Sequence, residues 1–339
     1  MADAVATQAR NLPLLATKAT CAGRTYIVTG ANTGLGFEAA KHLACLGAAK
    51  VILAVRTPIT GETAKLEIDS AAGFFSTSDT TTAGVVEVWP LDLCSYDSVR
   101  AFVKRAAAEL DRIDGVIVNA ALALAKREMA EGHVKPVTVN VMSTFLLAVL
   151  LLPVMSEKVK RVAAGVTPRI TIVSSRVGFD SREVWETIKG DPIRGMDSED
   201  MVPWKTYPLS KLTEMFAVRH LARELVPVEK TGVIVNIVCP GLCVTKLARH
   251  ATQEHTENLR RMHAMFGRSA EDGSRTLLHG AVAGVESHGK LLHSCEDGEG
   301  DVPDWVKNDT ELQKNTWDVI AKELEAAEPG CVSKMLQAV

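Results

Sequence analysis

Thr25-Tyr26-Ile27-Val28-Thr29-Gly30-Ala31-Asn32-Thr33-Gly34-Leu35-Gly36 sets an apolar run of strand length directly before glycines spaced through a turn, and a helical pattern follows. Gly30 permits the tight turn. Gly34 lets backbone N–H groups approach a pyrophosphate at the positive end of a helix, and Gly36 lets that helix pack closely on its strand. The spacing alone also occurs in ordinary glycine-rich turns; its position between a strand and a helix gives it weight.

Working outward, apolar runs of strand length fall at residues 25–30, 50–55, 85–90, 115–119, 169–174 and 232–238. Between them lie helical periods, as at 34–46 (Phe37, Ala40, Leu43, Ala44) and 98–110 (Val99, Phe102, Val103, Ala106, Leu110). Strands too uniformly apolar to have a wet face, alternating with helices, predict an α/β fold: one doubly wound parallel sheet flanked by helices. The Ser-, Thr- and Gly-rich stretch 76–84 reads as a solvated loop. We expect an N-terminal arm (1–23), one domain (24–295), and a tail (296–339) made of an acidic loop at 296–304 and a helix at 309–328.

The composition narrows the function. With 47 % hydrophobic residues in 339, the chain can bury a full core. A net charge of −3, from 38 basic and 41 acidic residues without a block of one sign, offers no footprint for nucleic acid or anionic lipid. The longest apolar run, 145–155, contains Pro153 and falls short of the roughly 20 residues that span a bilayer, so it reads as a buried helix rather than a membrane span. Seven cysteines lie scattered without a CxxC spacing, and no secretory segment precedes Asp3, which fits a reducing, cytoplasmic setting.

The second strand ends Leu53-Ala54-Val55-Arg56. At that position a carboxylate selects NAD and an arginine accommodates a 2′-phosphate, so Arg56 favours NADP(H) over a merely solvated role. Further on, Tyr207-Pro208-Leu209-Ser210-Lys211 opens a helical pattern, which puts Tyr207 and Lys211 one turn apart on one face. With three tyrosines and 19 lysines, a Tyr-x-x-x-Lys arises by chance about 0.17 times, so the pair proves little alone. Its value is chemical, since a phenol of ordinary pKa about 10 needs a nearby cation to act near neutrality.

These motifs fall in order with Leu91-Asp92-Leu93, Asn119-Ala120, Asn140, Ser174-Ser175, and Pro240-Gly241 with Thr245. Together they resemble the short-chain dehydrogenases/reductases over about residues 24–295. The segments Val139-Asn140-Val141, Thr144-Phe145-Leu146-Leu147 and Ser287-His288-Gly289-Lys290 are similar to retinol-dehydrogenase-like members of fungal secondary metabolism. The resemblance implies a single Rossmann-like domain. It implies that Tyr207 gives a proton to the substrate oxygen and Ser175, rather than Ser174, holds that oxygen. It also implies that Lys211 binds the nicotinamide ribose and Asn140 holds a water that re-protonates the tyrosine. Cofactor contacts are implied for Gly30, Asn32, Thr33, Gly34, Leu35, Gly36, Arg56, Asp92, Leu93, Asn119, Ala120, Tyr207, Lys211, Pro240, Gly241 and Thr245. The chain departs from the family at Val118-Asn119-Ala120-Ala121, where Ala121 stands for the usual glycine. In many relatives the helices around 140–155 and 207–225 form a homodimer face.

The expected activity is an NADPH-dependent reduction of a ketone or aldehyde on a lipophilic small molecule. The same residues can run as an alcohol dehydrogenase. A non-catalytic NADP-binding scaffold would not need Asn140, Ser175, Tyr207 and Lys211 together, and an epimerase of the extended branch would carry a GxxGxxG turn. Pocket residues are expected at 180–206 and 246–270, among them Trp185, Met196, Trp204, Met262, Met265, Phe266, Arg249, Arg260 and Arg261. His250, His255 and His263 are spaced by five and eight, which does not align three metal ligands, so no metal is expected. Cys239 and Cys243, with nothing basic beside them in sequence, read as packing residues.

Overall fold

The computed structural model describes residue 5 and residues 7–73, 84–160 and 166–337; of the stretch 76–84 read as a loop, all but Gly84 lies outside the described residues. The main elements run β1 (Thr25–Thr29), α1 (Gly34–Cys45), β2 (Lys50–Val55), α2 (Pro58–Ala71), β3 (Val86–Pro90), α3 (Tyr96–Glu109) and β4 (Gly115–Val118). The second half runs α4 (Ser143–Val159), β5 (Arg169–Val173), α5 (Thr206–His220), β6 (Ile234–Cys239), α6 (Gln253–Phe266), α7 (Ala270–Val282), β7 (Leu291–His293), β8 (Glu296–Asp297), α8 (Thr310–Ala327) and α9 (Cys331–Gln337).

The strands form one eight-stranded sheet in the order β8-β7-β6-β5-β4-β1-β2-β3. Every pairing is parallel except β7–β8. The chain builds outward from β1 through β2 to β3, then returns to place β4 on the other side of β1. That reversal opens a crevice at the carboxyl ends of β1 and β4, where α/β sheets bind ligands.

Both faces are covered, which is why β1, β4 and β6 are buried along their whole length. One apolar layer holds Ile27, Ile52, Trp89, Phe102, Phe145 and Phe216; the other holds Tyr26, Val28, Leu43, Leu53, Ile68 and Leu277. The helix through α4 starts with a π-helical stretch, Val137–Met142. Among the described residues, Val137–Val159 is the one helix long and apolar enough to cross a membrane, and it lies inside this core, where a helix apolar on all sides belongs.

The tail carries a helix, Thr310–Ala327, where one is expected, and it is packed onto the rest of the chain. β8 adds an antiparallel edge to the sheet. The Glu299 carboxylate accepts hydrogen bonds from the fully buried Arg219 guanidinium at 2.5 and 3.1 Å and from the Leu291 N–H at 2.9 Å. An acid written in an acidic run is thus the counter-charge of a core arginine. Helix α8 packs along α5 and α9 along α4, with Trp317 edge-on to Phe145 at 5.9 Å. These are the two helices to which the resemblance assigns a dimer face.

The N-terminal arm is also engaged. Gln8 donates to the carbonyls of Leu242 and Phe266 and accepts from the Leu242 N–H at 2.9 Å. Arg268 donates to the Ala9 carbonyl, and Asp272 accepts from the N–H groups of Asn11 and Leu12.

Candidate active site

A cavity of about 930 Å³ occupies the crevice at the strand ends. Gly30 (φ +65°) makes the turn out of β1, and Gly34 (φ +61°) makes the turn into α1. Both are left-handed conformations that glycine adopts without strain. A Cβ on Gly34 would meet only the Thr245 side chain, at 3.7 Å, whereas one on Gly36 would lie 2.6 Å from the Asn119 amide and 2.8 Å from the Gly30 carbonyl. Gly36 therefore serves helix packing and does not line the cavity. Thr33 precedes α1 without making a side-chain cap, so the leading N–H groups of the helix stay available to an anion. An open glycine turn, an uncapped helix start and an arginine at the β2 end fit a dinucleotide carrying phosphates.

Of the residues expected at the cofactor, Gly30, Asn32, Thr33, Gly34, Leu35, Arg56, Asp92, Leu93, Asn119, Ala120, Tyr207, Lys211, Pro240, Gly241 and Thr245 line the cavity. Arg56 is exposed there. Asn119 also locks the turn, its amide donating to the Thr29 carbonyl at 2.9 Å while the Thr29 hydroxyl accepts from the N–H groups of Asn119 and Ala120. Ala121 lines the wall beside them. Thr57 and Thr60 line the Arg56 end, and Gln8 reaches the cavity from the arm. These three carried no motif in the sequence.

Ser175, Tyr207 and Lys211 line the same cavity. Burial pushes the Tyr207 phenol above its ordinary range, the Glu214 carboxylate, Cys239 and Cys243 push the same way, and a hydrogen bond with the Ser175 hydroxyl pulls it down. The Lys211 ammonium lies 5.9 Å from the centre of the Tyr207 ring. The Lys211 ammonium donates to the Val173 carbonyl at 2.9 Å and to Glu214 at 2.7 Å, so its charge is shared with a buried acid. Ser174 is buried, and its hydroxyl donates to the Lys211 carbonyl at 2.9 Å, which braces the helix.

Asn140 lies in the π-helical stretch, fully buried, and does not line the cavity. Its amide oxygen accepts from the Leu122 N–H at 2.8 Å, and its amide nitrogen donates to the Leu122 carbonyl and to the Ser210 hydroxyl at 2.9 Å. Ser210 in turn donates to the Tyr207 carbonyl at 2.7 Å. The Asn140 side chain thus ties the strand-end loop to the first turn of α5.

The expected pocket segments divide. From 246–270, Lys246, Leu247, Ala248, Arg249, Leu259, Met262 and His263 line the cavity; from 180–206, only Asp180 does. Trp185 stacks on Phe216 at 4.9 Å and Met196 is fully buried, both packed in the core beneath α5. Trp204, Met265, Phe266, Arg260 and Arg261 are likewise outside the cavity. Val177 and Phe179, directly after Ser175, supply apolar wall that the sequence reading passed over. Asp301 reaches the rim from the tail and pairs with Arg176 at 2.5 Å. His255 bonds the Thr252 hydroxyl at 2.8 Å, away from His263. A cation does stand beside Cys243, namely Arg268, but burial outweighs it and the thiol is pushed up to about 12.

The comparisons with known proteins agree with this geometry. Residues 24–187 match the short chain dehydrogenase family. The chain is 38 % identical over 322 residues to the short chain dehydrogenase/reductase dmxR8 of Cryptosporiopsis sp., covering 92 % of this chain and 93 % of that protein. It is 38 % identical over 274 residues to the short chain dehydrogenase atnD of Emericella nidulans, covering 78 % and 82 %. Among solved structures, a putative uncharacterized protein from Mycobacterium paratuberculosis superposes with a TM-score of 0.63 at 25 % identity, covering 91 % of this chain and 97 % of that one. A putative NAD(P) dependent gluconate 5-dehydrogenase from Beutenbergia cavernae, with bound NADP, shares the fold at a TM-score of 0.59, over 83 % and 98 % of the two chains, and 23 % identity. The chain belongs to the short-chain dehydrogenase/reductase family, whose members are oxidoreductases that use nicotinamide cofactors.

Proposed function

We propose that this protein is an NADPH-dependent reductase of a ketone or aldehyde on a lipophilic small molecule, of the polyketide, terpenoid or retinoid-like kind made in fungal secondary metabolism. The observation that carries the reading is that Arg56, at the end of β2, lines the same cavity as Ser175, Tyr207 and Lys211. Arg56 is exposed on the cavity wall, and its guanidinium matches a 2′-phosphate. Apolar side chains around the catalytic end, Val177, Phe179, Leu247, Leu259 and Met262, suit a lipophilic substrate.

When bound, NADPH supplies the hydride that reduces the carbonyl carbon. Ser175 hydrogen-bonds the carbonyl oxygen and sets its distance from the phenol. Tyr207 gives its proton to that oxygen, and the resulting phenolate regains a proton from solvent in the cavity. Lys211 keeps a third N–H, beyond those on Val173 and Glu214, for the nicotinamide ribose.

The test is cofactor consumption by the purified protein with NADPH, and separately NADH, over a panel of hydrophobic ketones and aldehydes. Turnover with NADPH is expected, and no turnover on any member would count against the reading. Arg56→Ala should raise the KM for NADPH about tenfold to a hundredfold, the range for a lost charge-assisted contact, and leave that for NADH nearly unchanged. Equal effects on both cofactors would remove the 2′-phosphate role.

A further inference from the structure

The segment that follows β6 forms one side of the cavity, through Thr245, Leu247, Leu259, Met262 and His263. Much of it is α6, which buries none of its residues. Its two ends meet in a neck. There the Arg268 N–H donates to the Leu242 carbonyl and the Val244 N–H donates to the Arg268 carbonyl, each at 2.9 Å. Residues 243–267 are thereby closed back on themselves as a flap.

The Gln8 amide is set into this neck from the N-terminal arm. Its nitrogen donates to the Leu242 carbonyl at 3.0 Å, at one end of the flap, and to the Phe266 carbonyl at 2.6 Å, at the other. Its oxygen accepts from the Leu242 N–H at 2.9 Å. Both donors and the acceptor of the amide are in use. The fit is close, since a Cβ on Gly241 (φ +78°) would lie 2.6 Å from the Gln8 amide oxygen.

We propose that Gln8 is a positioning residue for the proposed reaction: it staples the two ends of the flap together, so that the N-terminal arm sets how the flap is held over cofactor and substrate. The inference rests on the reading that this cavity holds both.

The rest of the arm is built to hold the staple in place. Arg268, 1 % exposed, donates to the Ala9 carbonyl at 2.7 Å and to the Pro240 carbonyl at 2.8 Å, which ties the arm to the end of β6. Asp272, in the first turn of α7, accepts from the N–H groups of Asn11 at 3.0 Å and Leu12 at 2.6 Å. Arg10 donates to the Met265 carbonyl near the end of α6. Without the amide the neck keeps its two backbone hydrogen bonds and opens more often. A ligand that needs the flap closed then binds with an affinity reduced by the fraction of molecules in which it is closed. Once bound, it meets the same reaction centre, because Ser175, Tyr207 and Lys211 stand after β5 and on α5, outside the flap.

The experiment uses the full chain with Gln8→Met, which keeps the length and loses every polar contact, and Gln8→Glu, which as a carboxylate keeps the acceptor and loses both donors. The first readout needs no substrate: hydrogen exchange of the backbone amides, followed by mass spectrometry. In both variants α6 is expected to exchange about tenfold faster than in the wild type, the worth of about one net hydrogen bond, while β1, β4, β5 and β6 keep their wild-type rates. The second readout is kinetic. The KM for the carbonyl substrate should rise about tenfold and kcat change by less than about threefold, whereas a mere loss of folded protein lowers kcat at unchanged KM. Folded variants with wild-type exchange in α6, exchange that rises equally across the sheet, or a fall in kcat at constant KM would each overturn the proposal. In the wild type, the Asn11 and Leu12 amides should be protected at least tenfold relative to an unfolded chain; free exchange there would overturn it even if neither variant folds. A failed substrate panel leaves the exchange result standing, so the two readings fail separately.

Discussion

Tyr207→Phe is expected to lower kcat for carbonyl reduction by about 10²–10⁴-fold, the usual worth of a positioned general acid, while NADPH binds as before. The substitution removes one oxygen. It leaves Ser175, Lys211 and the helix start at Gly34 in place, because the backbone of residue 207 is held by Ser210 and Asn140 rather than by the phenol. Cofactor affinity, read by fluorescence titration, should therefore change by less than about threefold, well under the effect on kcat. Equal losses in affinity and turnover would mean that the phenol shapes the cofactor site instead of supplying the proton.

The second large effect concerns folding. Arg219→Ala is expected to cost about 3–5 kcal/mol, because removing one partner of a buried ion pair leaves the other uncompensated. The arginine is fully buried, and Glu299 would be left with the Leu291 N–H and the more distant Arg223, 3.9 Å away. The double change Arg219→Met with Glu299→Leu should recover most of the loss, since a well-packed apolar pair can replace a buried ion pair. Urea unfolding of both proteins measures the difference. A single variant within 1 kcal/mol of the wild type, a surface-bridge value, would show that the pair is not holding β7 and the tail to α5.

Much of the fold was legible because its signals are local. The apolar strands and the glycine turn each occupy one short window, and the parallel sheet follows from strands that have no polar face. What the windows missed was set by distant partners. β7 and β8 have three and two residues, too short for a period, and owe their place to pairing with β6 and with each other. Glu299 is one acid among several in the loop 296–304, and nothing near it in sequence points to its partner, Arg219, 80 residues earlier. Trp185 and Met196 were assigned to the pocket by segment, yet an aromatic ring prefers the face of Phe216 to an open wall.

The site divides in the same way. Ser175, Tyr207 and Lys211 could be read because a phenol, a hydroxyl and an amine at those spacings have a joint chemistry. Asn140 could be named but not its partners, since the π-helical stretch that aims it at Leu122 and Ser210 leaves no mark in composition. Glu214 lay inside an apolar helical pattern, where one acid reads as an interruption. Gln8 reaches the cavity from more than 230 residues away along the chain.

The end of the chain lies across α4 and α5. Because α8 and α9 already occupy the backs of those helices, with Trp317 seated against Phe145, the helix that carries Tyr207 is roofed from within. Any partner approaching that side meets the tail, and not the bare backs of α4 and α5.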